Sequence, residues 1–406
     1  MIKNAINYFS YSFLGALIGA VSLPYLTRVL TPGEFAYIGL MQVGLFIFVP
    51  LFGFRAESLI GINKVKMNKN EYVNFRNSYM SLSFIIISIS FILILFLSYL
   101  FLHDYLLLIF LTLIISIFKF LINLHNQELI QDEKPTVYGS LTFLNQVLIL
   151  FLTVLFLSFF NMSWEGRLIA IIVANIFFSF LRLKFYSSIT MEFHLTYQKE
   201  TIKNIIKFGA PLFIALLASW VSFQSDKLIV KYFFSMEKLG LYTVAYFIGN
   251  FLNILNRSVA SAFIPKLRKE LVEMRGRNFI LKFQLIYGLF ILLIAIILSI
   301  IFYFFDYIIL GENYRGVWKI VAFVSFAYAF FGIYNAYGSI FEFFNKTLVK
   351  TKLVVLGALV NLSLTFALLP YLGYVAPAVG TMGSFFTIMV ASYKLGIKEL
   401  NLRGVK

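Results

Sequence analysis

The chain has 406 residues, of which 61% are hydrophobic and 19% are aromatic, whereas only 13% are charged. A soluble domain carries about 45–50% apolar and about 25% charged residues, so this composition excludes an ordinary soluble protein and predicts an integral membrane protein. The sequence contains no cysteine, which excludes a disulfide framework and any thiolate nucleophile or metal ligand.

Long apolar segments follow one another along almost the whole chain. A helix needs roughly 20 such residues to cross the hydrocarbon core of a bilayer. Backbone amides in lipid must be hydrogen-bonded within their own segment, so every span is predicted to be a helix. The first segment is interpreted as a span and not as a removed signal peptide, because it is too long and lacks a small-residue cleavage site. About twelve spans are predicted, at residues 6–30, 35–60, 78–101, 105–126, 137–160, 164–185, 208–230, 238–262, 279–305, 315–341, 349–369 and 374–394.

The opening of the second half repeats the plan of the opening of the first. Each has a long apolar segment, a short polar turn and a second apolar segment, with Thr31 aligned to Ser235. This pattern predicts an internal duplication and an all-α fold, in which two pseudo-symmetric six-helix lobes enclose a central cavity. The expected divisions are a first lobe at 1–186, a cytoplasmic linker at 187–207 that includes an amphipathic helix, and a second lobe at 208–406.

Lysine and arginine are concentrated in the turns on one side of the predicted bundle. Cytoplasmic loops carry such an excess, so both termini are predicted to be cytoplasmic and the opposite turns are called outer here. The same bias accounts for much of the net charge of +16. A nucleic-acid partner is therefore not needed, and contact with anionic membrane lipids is the expected role of the basic loops.

Three of the basic residues within predicted spans are candidates for a binding site, because a charge at mid-bilayer costs about 2.5–3.5 kcal/mol on insertion scales. Arg55 lies on the second span and Arg257 on the eighth, at nearly equivalent positions of the two halves, and Lys119 lies somewhat deeper on the fourth. Together they predict a cationic cup that opens toward the cytoplasm. The alternative is that the arginines reach the cytoplasmic surface and serve topology alone.

Three further charges fall near the outer ends of spans one and seven, the first helices of the two lobes. Arg28, Asp226 and Lys227 predict an external gate in which Asp226 pairs with Arg28 or Lys227; static ion pairs or interfacial anchors are the alternative. Apart from Glu165 at the start of the sixth span, Glu57 is the only acid predicted inside a span of the first lobe, and it either pairs with Arg55 or carries a proton. The three histidines are scattered, so no metal site is expected.

Five segments, in this order and spacing, carry a resemblance to a known family. The chain resembles bacterial polysaccharide flippases of the O-antigen translocase type, in the superfamily that also holds multidrug-extrusion antiporters and the lipid II flippase. The segments are LPYLTRVLTPGEFAYIGL, SDKLIVKYFFSMEKLGLYTVAY, AFIPKLRKEL, LGENYRGVWKI and LLPYLGYVAPAVGTMGSF.

This resemblance implies two lobes that alternate between inward-open and outward-open forms, with an undecaprenyl-pyrophosphate-linked oligosaccharide as cargo. The cationic cup suits a pyrophosphate, because guanidinium groups bind phosphate oxygens bidentately. The lipid II flippase is known for cavity arginines on spans one, two and eight. Arg28, Arg55 and Arg257 lie on those spans here, although Arg28 is nearer the outer end than the pattern requires.

The expected function is therefore that of a flippase in a bacterial inner membrane, which moves an O-antigen or capsule repeat unit to the outer leaflet. A cation-coupled multidrug antiporter or a lipid II-type flippase is the alternative. A polyprenyl-sugar polymerase or transferase is disfavoured because the outer turns are too short to build a catalytic site, so no enzyme and no cofactor is expected. The energy source is left open between a proton gradient, a sodium gradient and downstream removal of the cargo, and glycan polymerase machinery is an expected partner.

Overall fold

The computed structural model describes residues 2–185, 197–273, 277–344 and 346–404, with a few helical side chains among them left out. These residues form α-helices joined by short turns, and no strand occurs among them. The helices are α1 (Ile2–Val29), α2 (Pro32–Phe52), α3 (Ser58–Lys66), α4 (Lys69–Phe101), α5 (Leu106–Gln131), α6 (Pro135–Val154), α7 (Trp164–Phe185), α8 (Lys199–Phe233), α9 (Met236–Val272), α10 (Arg277–Leu310), α11 (Trp318–Phe343), α12 (Thr347–Leu372) and α13 (Ala376–Leu402).

All of these helices except the short α3 are long enough to cross a membrane. By length and apolar composition, nine stretches of the described residues qualify as spans, and the last of them, Leu348–Leu402, covers both α12 and α13. Helices α1 and α9 are not among the nine. The predicted class, an all-α membrane protein with about twelve long helices, is confirmed.

Local sequence signals explain where several helices begin. Thr31 and Glu34 form a capping box at the start of α2, since the Thr31 amide donates to the Glu34 carboxylate at 2.8 Å and the Glu34 amide donates to the Thr31 hydroxyl at 3.3 Å. Asn68 and Glu71 form the same motif before α4. Such reciprocal bonds satisfy amides that have no acceptor within the helix. The polar residues of these two turns therefore mark the positions at which α2 and α4 begin.

The chain forms two compact units that do not follow the chain order strictly. The first unit contains residues 1–19 and 37–217, and the second contains 20–36 and 218–406. Helices α1, α2 and α8 are each divided between the units. The turn between α1 and α2 thus packs with the second half of the chain, and the start of α8 packs with the first half.

Each unit has its own apolar core. In the first unit Phe52, Tyr79 and Phe120 are fully buried in one cluster, which Ile205 of α8 joins. In the second unit α11 is central, and Tyr334 and Phe341 are buried against α12 and α13. Long apolar side chains along α4 and α10 are instead exposed, as expected for surfaces that face lipid.

Candidate functional site

A polar stripe runs along α5 in the first unit. Lys119, Asn123 and Gln127 follow one another at intervals of four residues; Lys119 and Asn123 are exposed and Gln127 is partly exposed. Lys119 is close to the middle of α5, about 18 Å from the C-terminal end of this helix at 1.5 Å per residue. A helix face with successive polar side chains at this depth is suited to water and not to lipid.

Arg55 is exposed, but it does not lie on a helix. Helix α2 ends at Phe52, and Phe54 and Arg55 both have positive φ, at 48° and 56°. The predicted second span, which extended to residue 60, was too long because these left-handed residues break the helix before α3. Arg55 therefore lies in a turn at the predicted cytoplasmic end of the first unit.

Glu57 is also outside the spans, at the position that precedes α3. Its carboxyl is largely buried, and burial raises its pKa above the usual range while nearby Arg55 opposes the shift. The interpretation of Glu57 as an acid inside a span does not match this position. A carboxyl with a raised pKa exchanges protons closer to neutral pH than an ordinary glutamate does.

The second unit has polar residues on α9. Asn250 is exposed, and the Asn253 amide donates to its side-chain oxygen at 3.1 Å. Arg257 follows one turn later on the same helix, and its side chain lies outside the described residues. The backbone of α9 is helical at Arg257, unlike the turn at Arg55, so the two arginines have different local structures.

Arg28 and the turn that follows it dock into the second unit at the predicted outer end. The Arg28 guanidinium donates to the carbonyl of Ile308 at 2.8 Å, and the Tyr314 hydroxyl donates to the carbonyl of Leu30 at 2.9 Å. Phe35 is fully buried against the rings of Phe247 and Tyr314. The first turn of α2 is therefore held by α9 and by the segment that joins α10 to α11.

Backbone contact adds to this docking. A Cβ added to Gly240 of α9 would lie 1.7 Å from the carbonyl oxygen of Pro32. Only glycine allows α9 to approach the turn so closely. This contact joins the corresponding turn regions of the two halves, because Gly240 lies five residues after Ser235 and Pro32 directly follows Thr31.

Asp226 starts a chain of buried hydrogen bonds inside the second unit. Its carboxylate accepts from the Tyr242 hydroxyl at 2.9 Å, and the Tyr242 hydroxyl lies 3.2 Å from that of Tyr246. Tyr246 bonds in turn to the Thr381 hydroxyl at 3.2 Å, to which the Asn361 amide donates at 2.9 Å. Asp226 is thus tied to α9, α12 and α13.

Lys227 is nearly fully buried next to Asp226. Its ammonium donates to the Gln224 side chain at 2.7 Å and lies 5.3 Å from the centre of the Tyr246 ring. Arg28, the third residue of the predicted gate, bonds to a backbone carbonyl instead. Among the described residues, neither Lys227 nor Arg28 forms an ion pair with Asp226, since Lys227 bonds to Gln224 and Arg28 to the carbonyl of Ile308.

A buried ionic cluster at the predicted cytoplasmic end of the first unit was not anticipated from the sequence. Glu128 of α5 is fully buried; its carboxylate lies 2.9 Å from Nε of Arg76 and accepts from the Tyr72 hydroxyl at 2.6 Å. Arg182 of α7 is 1% exposed and donates to Asn126 at 3.2 Å. The cluster ties together the ends of α4, α5 and α7.

The amino-acid sequence contains only a weak indication of this buried ionic cluster. The predicted fourth span ended at residue 126, whereas α5 continues to Gln131 and carries Glu128 inside. Arg76 and Arg182 lie near helix ends on the basic side of the predicted bundle, where such residues predict orientation in the membrane and not burial. No group of three or more histidine and carboxylate residues suited to a metal ion occurs within the part of the chain that the structure describes.

Comparisons with known proteins identify the fold. An inward-facing multidrug resistance transporter of the MATE family, in the MOP superfamily, matches with a TM-score of 0.78 and 14% identity over 98% of each chain. The lipid II flippase MurJ in an inward closed conformation matches with a TM-score of 0.72 and 15% identity, over 100% of this chain and 91% of that one. An outward-facing MATE family structure matches with a TM-score of 0.69 and 13% identity, over 98% and 96%.

At these identities the structural likeness establishes the fold alone. No curated protein sequence matches the chain significantly. The family model described as "Polysaccharide biosynthesis protein" matches residues 1–269. The resemblance inferred from the sequence is confirmed, and the chain belongs to the family that this model describes, the polysaccharide biosynthesis proteins.

Proposed function

We propose that this protein is a flippase for an undecaprenyl-pyrophosphate-linked oligosaccharide, an O-antigen or capsule repeat unit. It carries the glycan from the cytoplasmic to the outer leaflet of a bacterial inner membrane by alternating access, with both termini in the cytoplasm. Family membership supports a role in polysaccharide biosynthesis, and the fold is that of transporters. A glycan polymerase is the expected partner that consumes the product.

The observation that carries this proposal is the polar stripe of α5. Lys119 and Asn123 are exposed in the middle half of a helix long enough to cross the membrane. A cation at that depth needs water or an anion, because mid-bilayer charge is costly in lipid. A hydrated transport path along the first lobe supplies the water, and a pyrophosphate headgroup supplies the anion.

In this proposal Lys119 and Arg55 supply the cationic charge of the first unit, and Arg257 stays a predicted contributor to the cup. Arg55 at the cytoplasmic end receives the pyrophosphate, and Lys119 attracts it further along the path. Guanidinium and ammonium groups bind phosphate oxygens through charge-assisted hydrogen bonds. The same charges disfavour the cationic compounds that a multidrug antiporter exports, since like charges in a site reject a ligand.

The external gate is the docked segment of residues 20–36, which contains the end of α1, the turn after it and the start of α2. The bonds from Arg28 to Ile308 and from Tyr314 to Leu30 join the end of α1 to the second lobe. The neutral Tyr314 bond contributes about 0.5–1.5 kcal/mol, and the bond from the charged Arg28 guanidinium about 1.5–3 kcal/mol. A gate held by a few such contacts opens readily when cargo or an ion favours the open form.

Asp226 is the ion-coupling residue. It is a buried carboxylate whose hydrogen-bond chain ends at Asn361 and Thr381, while the Asn361 side-chain oxygen and the Thr365 hydroxyl have no hydrogen-bond partner among the described residues. A proton on the carboxylate, or a sodium ion among these oxygens, changes the hydrogen bonds of the whole chain. Neutralisation of Asp226 alone then abolishes any dependence of transport on that ion.

Glycan export in cells that lack the native flippase tests the proposal. Lys119→Ala and Arg55→Ala, each at normal protein level, are expected to reduce export strongly, and the double variant more so. Lys352→Ala removes an exposed charge of α12 outside the cup and serves as the matched control. Unimpaired export by the double variant excludes the cup. Export of cationic dyes that depends on Asp226, without glycan export, identifies an antiporter instead.

A further inference from the structure

Three aromatic rings meet at the predicted outer end of the first unit. Tyr37 lies near the start of α2, Tyr105 just before α5, and Trp164 at the start of α7. The rings of Tyr37 and Trp164 are almost parallel, with centroids 4.3 Å apart and an interplanar angle of 10°. The Tyr105 ring lies 6.3 Å from that of Tyr37 at 40°. All three are partly exposed, so the group forms a continuous aromatic surface.

Two carboxylates border this surface. Asp104 is exposed and Glu165 is partly exposed, and both lie close enough to Tyr37 to interact electrostatically with its hydroxyl. Neither forms an ion pair within the described ranges. Arg167, two residues after Glu165, points elsewhere and donates to the Thr153 hydroxyl at 2.6 Å. The aromatic surface therefore has a negative local potential.

This combination suits a sugar. Aromatic faces pack against apolar C–H groups of a ligand, and carboxylates accept hydrogen bonds from hydroxyl groups without competing as donors. Aromatic residues at a membrane interface usually act as anchors. An anchor gains nothing from two uncompensated carboxylates, because they repel the headgroups of anionic lipids.

The second unit provides a contrast at the same predicted end. Trp318 lies edge-on against Tyr303, with centroids 4.8 Å apart and an angle of 79°. The neighbouring charge there is the ammonium of Lys319, 5.9 Å from the Trp318 ring. That pair has the charge expected of an interfacial anchor, whereas the group around Trp164 does not.

We infer that Tyr37, Tyr105 and Trp164, with Asp104 and Glu165, form an outer sugar-binding surface. It accepts neutral or amino sugars and disfavours sugars with acidic groups, because the carboxylates repel them. The identification of the ligand as the exported glycan rests on the proposed flippase function. Binding of a free sugar is nevertheless measurable without transport, so the two can fail separately.

The test uses the full-length purified protein in detergent and two soluble probes, the trimer of N-acetylglucosamine and the trimer of galacturonic acid. Saturation-transfer NMR is expected to detect the neutral trimer and to give little signal for the acidic one. Trp164→Ala is expected to weaken binding of the neutral trimer about tenfold, the loss of one stacked ring, and Trp164→Phe to restore most of it. Trp318→Ala is the control and leaves binding unchanged.

The carboxylates are tested by a second pair of variants. Asp104→Asn and Glu165→Gln together are expected to raise binding of the acidic trimer relative to the neutral one, while circular dichroism and thermal unfolding stay unchanged. Equal binding of the neutral trimer by the Trp164→Ala and Trp318→Ala variants overturns the inference. Absence of binding by either trimer, or preference of the unmodified protein for the acidic trimer, overturns it as well. Glycan export that persists in either case leaves the flippase proposal intact.

Discussion

The contact between Gly240 and Pro32 gives a quantitative prediction for the external gate. A Cβ at position 240 would lie 1.7 Å from the Pro32 carbonyl oxygen, so Gly240→Ala fits only if the turn moves away from α9. Overpacking of this kind costs about 1–3 kcal/mol. Because the cost falls on the docked form alone, the ratio of undocked to docked protein is expected to rise by about 5- to 150-fold.

The natural absence of cysteine makes this ratio measurable. Thr27 is 2% exposed in the docked segment, so a single Thr27→Cys reporter is shielded while the turn is docked. The rate of its reaction with a hydrophilic maleimide, measured on purified protein under mild conditions, reports the undocked fraction. Gly240→Ala in this background is expected to speed labelling by the same factor of about 5 to 150.

Gly33 provides the matched control within the same turn. A Cβ added there meets nothing within 4 Å, so Gly33→Ala is expected to leave the labelling rate unchanged. Equal labelling rates in the Gly240→Ala and Gly33→Ala proteins, with both folded by circular dichroism, would refute the reasoning. Slower labelling in Gly240→Ala would refute it too, since a clash cannot stabilise the docked form.

Three further predictions concern charges. Glu128→Ala leaves Arg76 buried without its carboxylate and is expected to lower the free energy of unfolding by about 3–5 kcal/mol. The control, Glu399→Ala, removes a surface ion pair with Arg403 and should cost less than about 1 kcal/mol. Equal losses in the two variants would contradict the stabilising role of the buried ion pair. Burial raises the pKa of Glu57, so the free energy of unfolding is expected to fall as the pH rises through that raised pKa. The Glu57→Gln variant should lack this fall. Identical pH profiles of unfolding for the two proteins would contradict the raised pKa. Asp226→Asn is expected to make reconstituted transport insensitive to an imposed proton or sodium gradient, and a gradient response equal to that of the unmodified protein removes Asp226 from the coupling role.

The sequence predicted the helical content and the order of the long helices well, because apolar segments in lipid can form little else. It predicted helix ends less well. The second span was predicted to extend to residue 60 because the segment LFGF is apolar. In the structure, left-handed backbone at Phe54 and Arg55 follows the end of α2 at Phe52. Hydropathy does not report the backbone conformation of single residues, so Arg55 and Glu57 were assigned to a span that had already ended.

The buried ionic cluster was missed for a related reason. Arg76 and Arg182 lie near helix ends, where lysine and arginine usually indicate orientation. Their burial depends on Glu128 and Asn126 of another helix, and such contacts between distant segments leave no mark in the local sequence. The docking of the α1–α2 turn onto α9 likewise has no local sequence signal, because it depends on the close approach of Gly240 to Pro32.

Lipid flipping by the purified protein tests the central claim most directly. Proteoliposomes would contain a fluorescent oligosaccharide on polyprenyl pyrophosphate, and a membrane-impermeant quencher would report how much lipid reaches the other leaflet. The account predicts flipping by the unmodified and Lys352→Ala proteins, little by Lys119→Ala with Arg55→Ala, and none of a neutral polyprenol-linked glycan without the pyrophosphate. Equal flipping of both lipids, or full activity without the two cations, would contradict it.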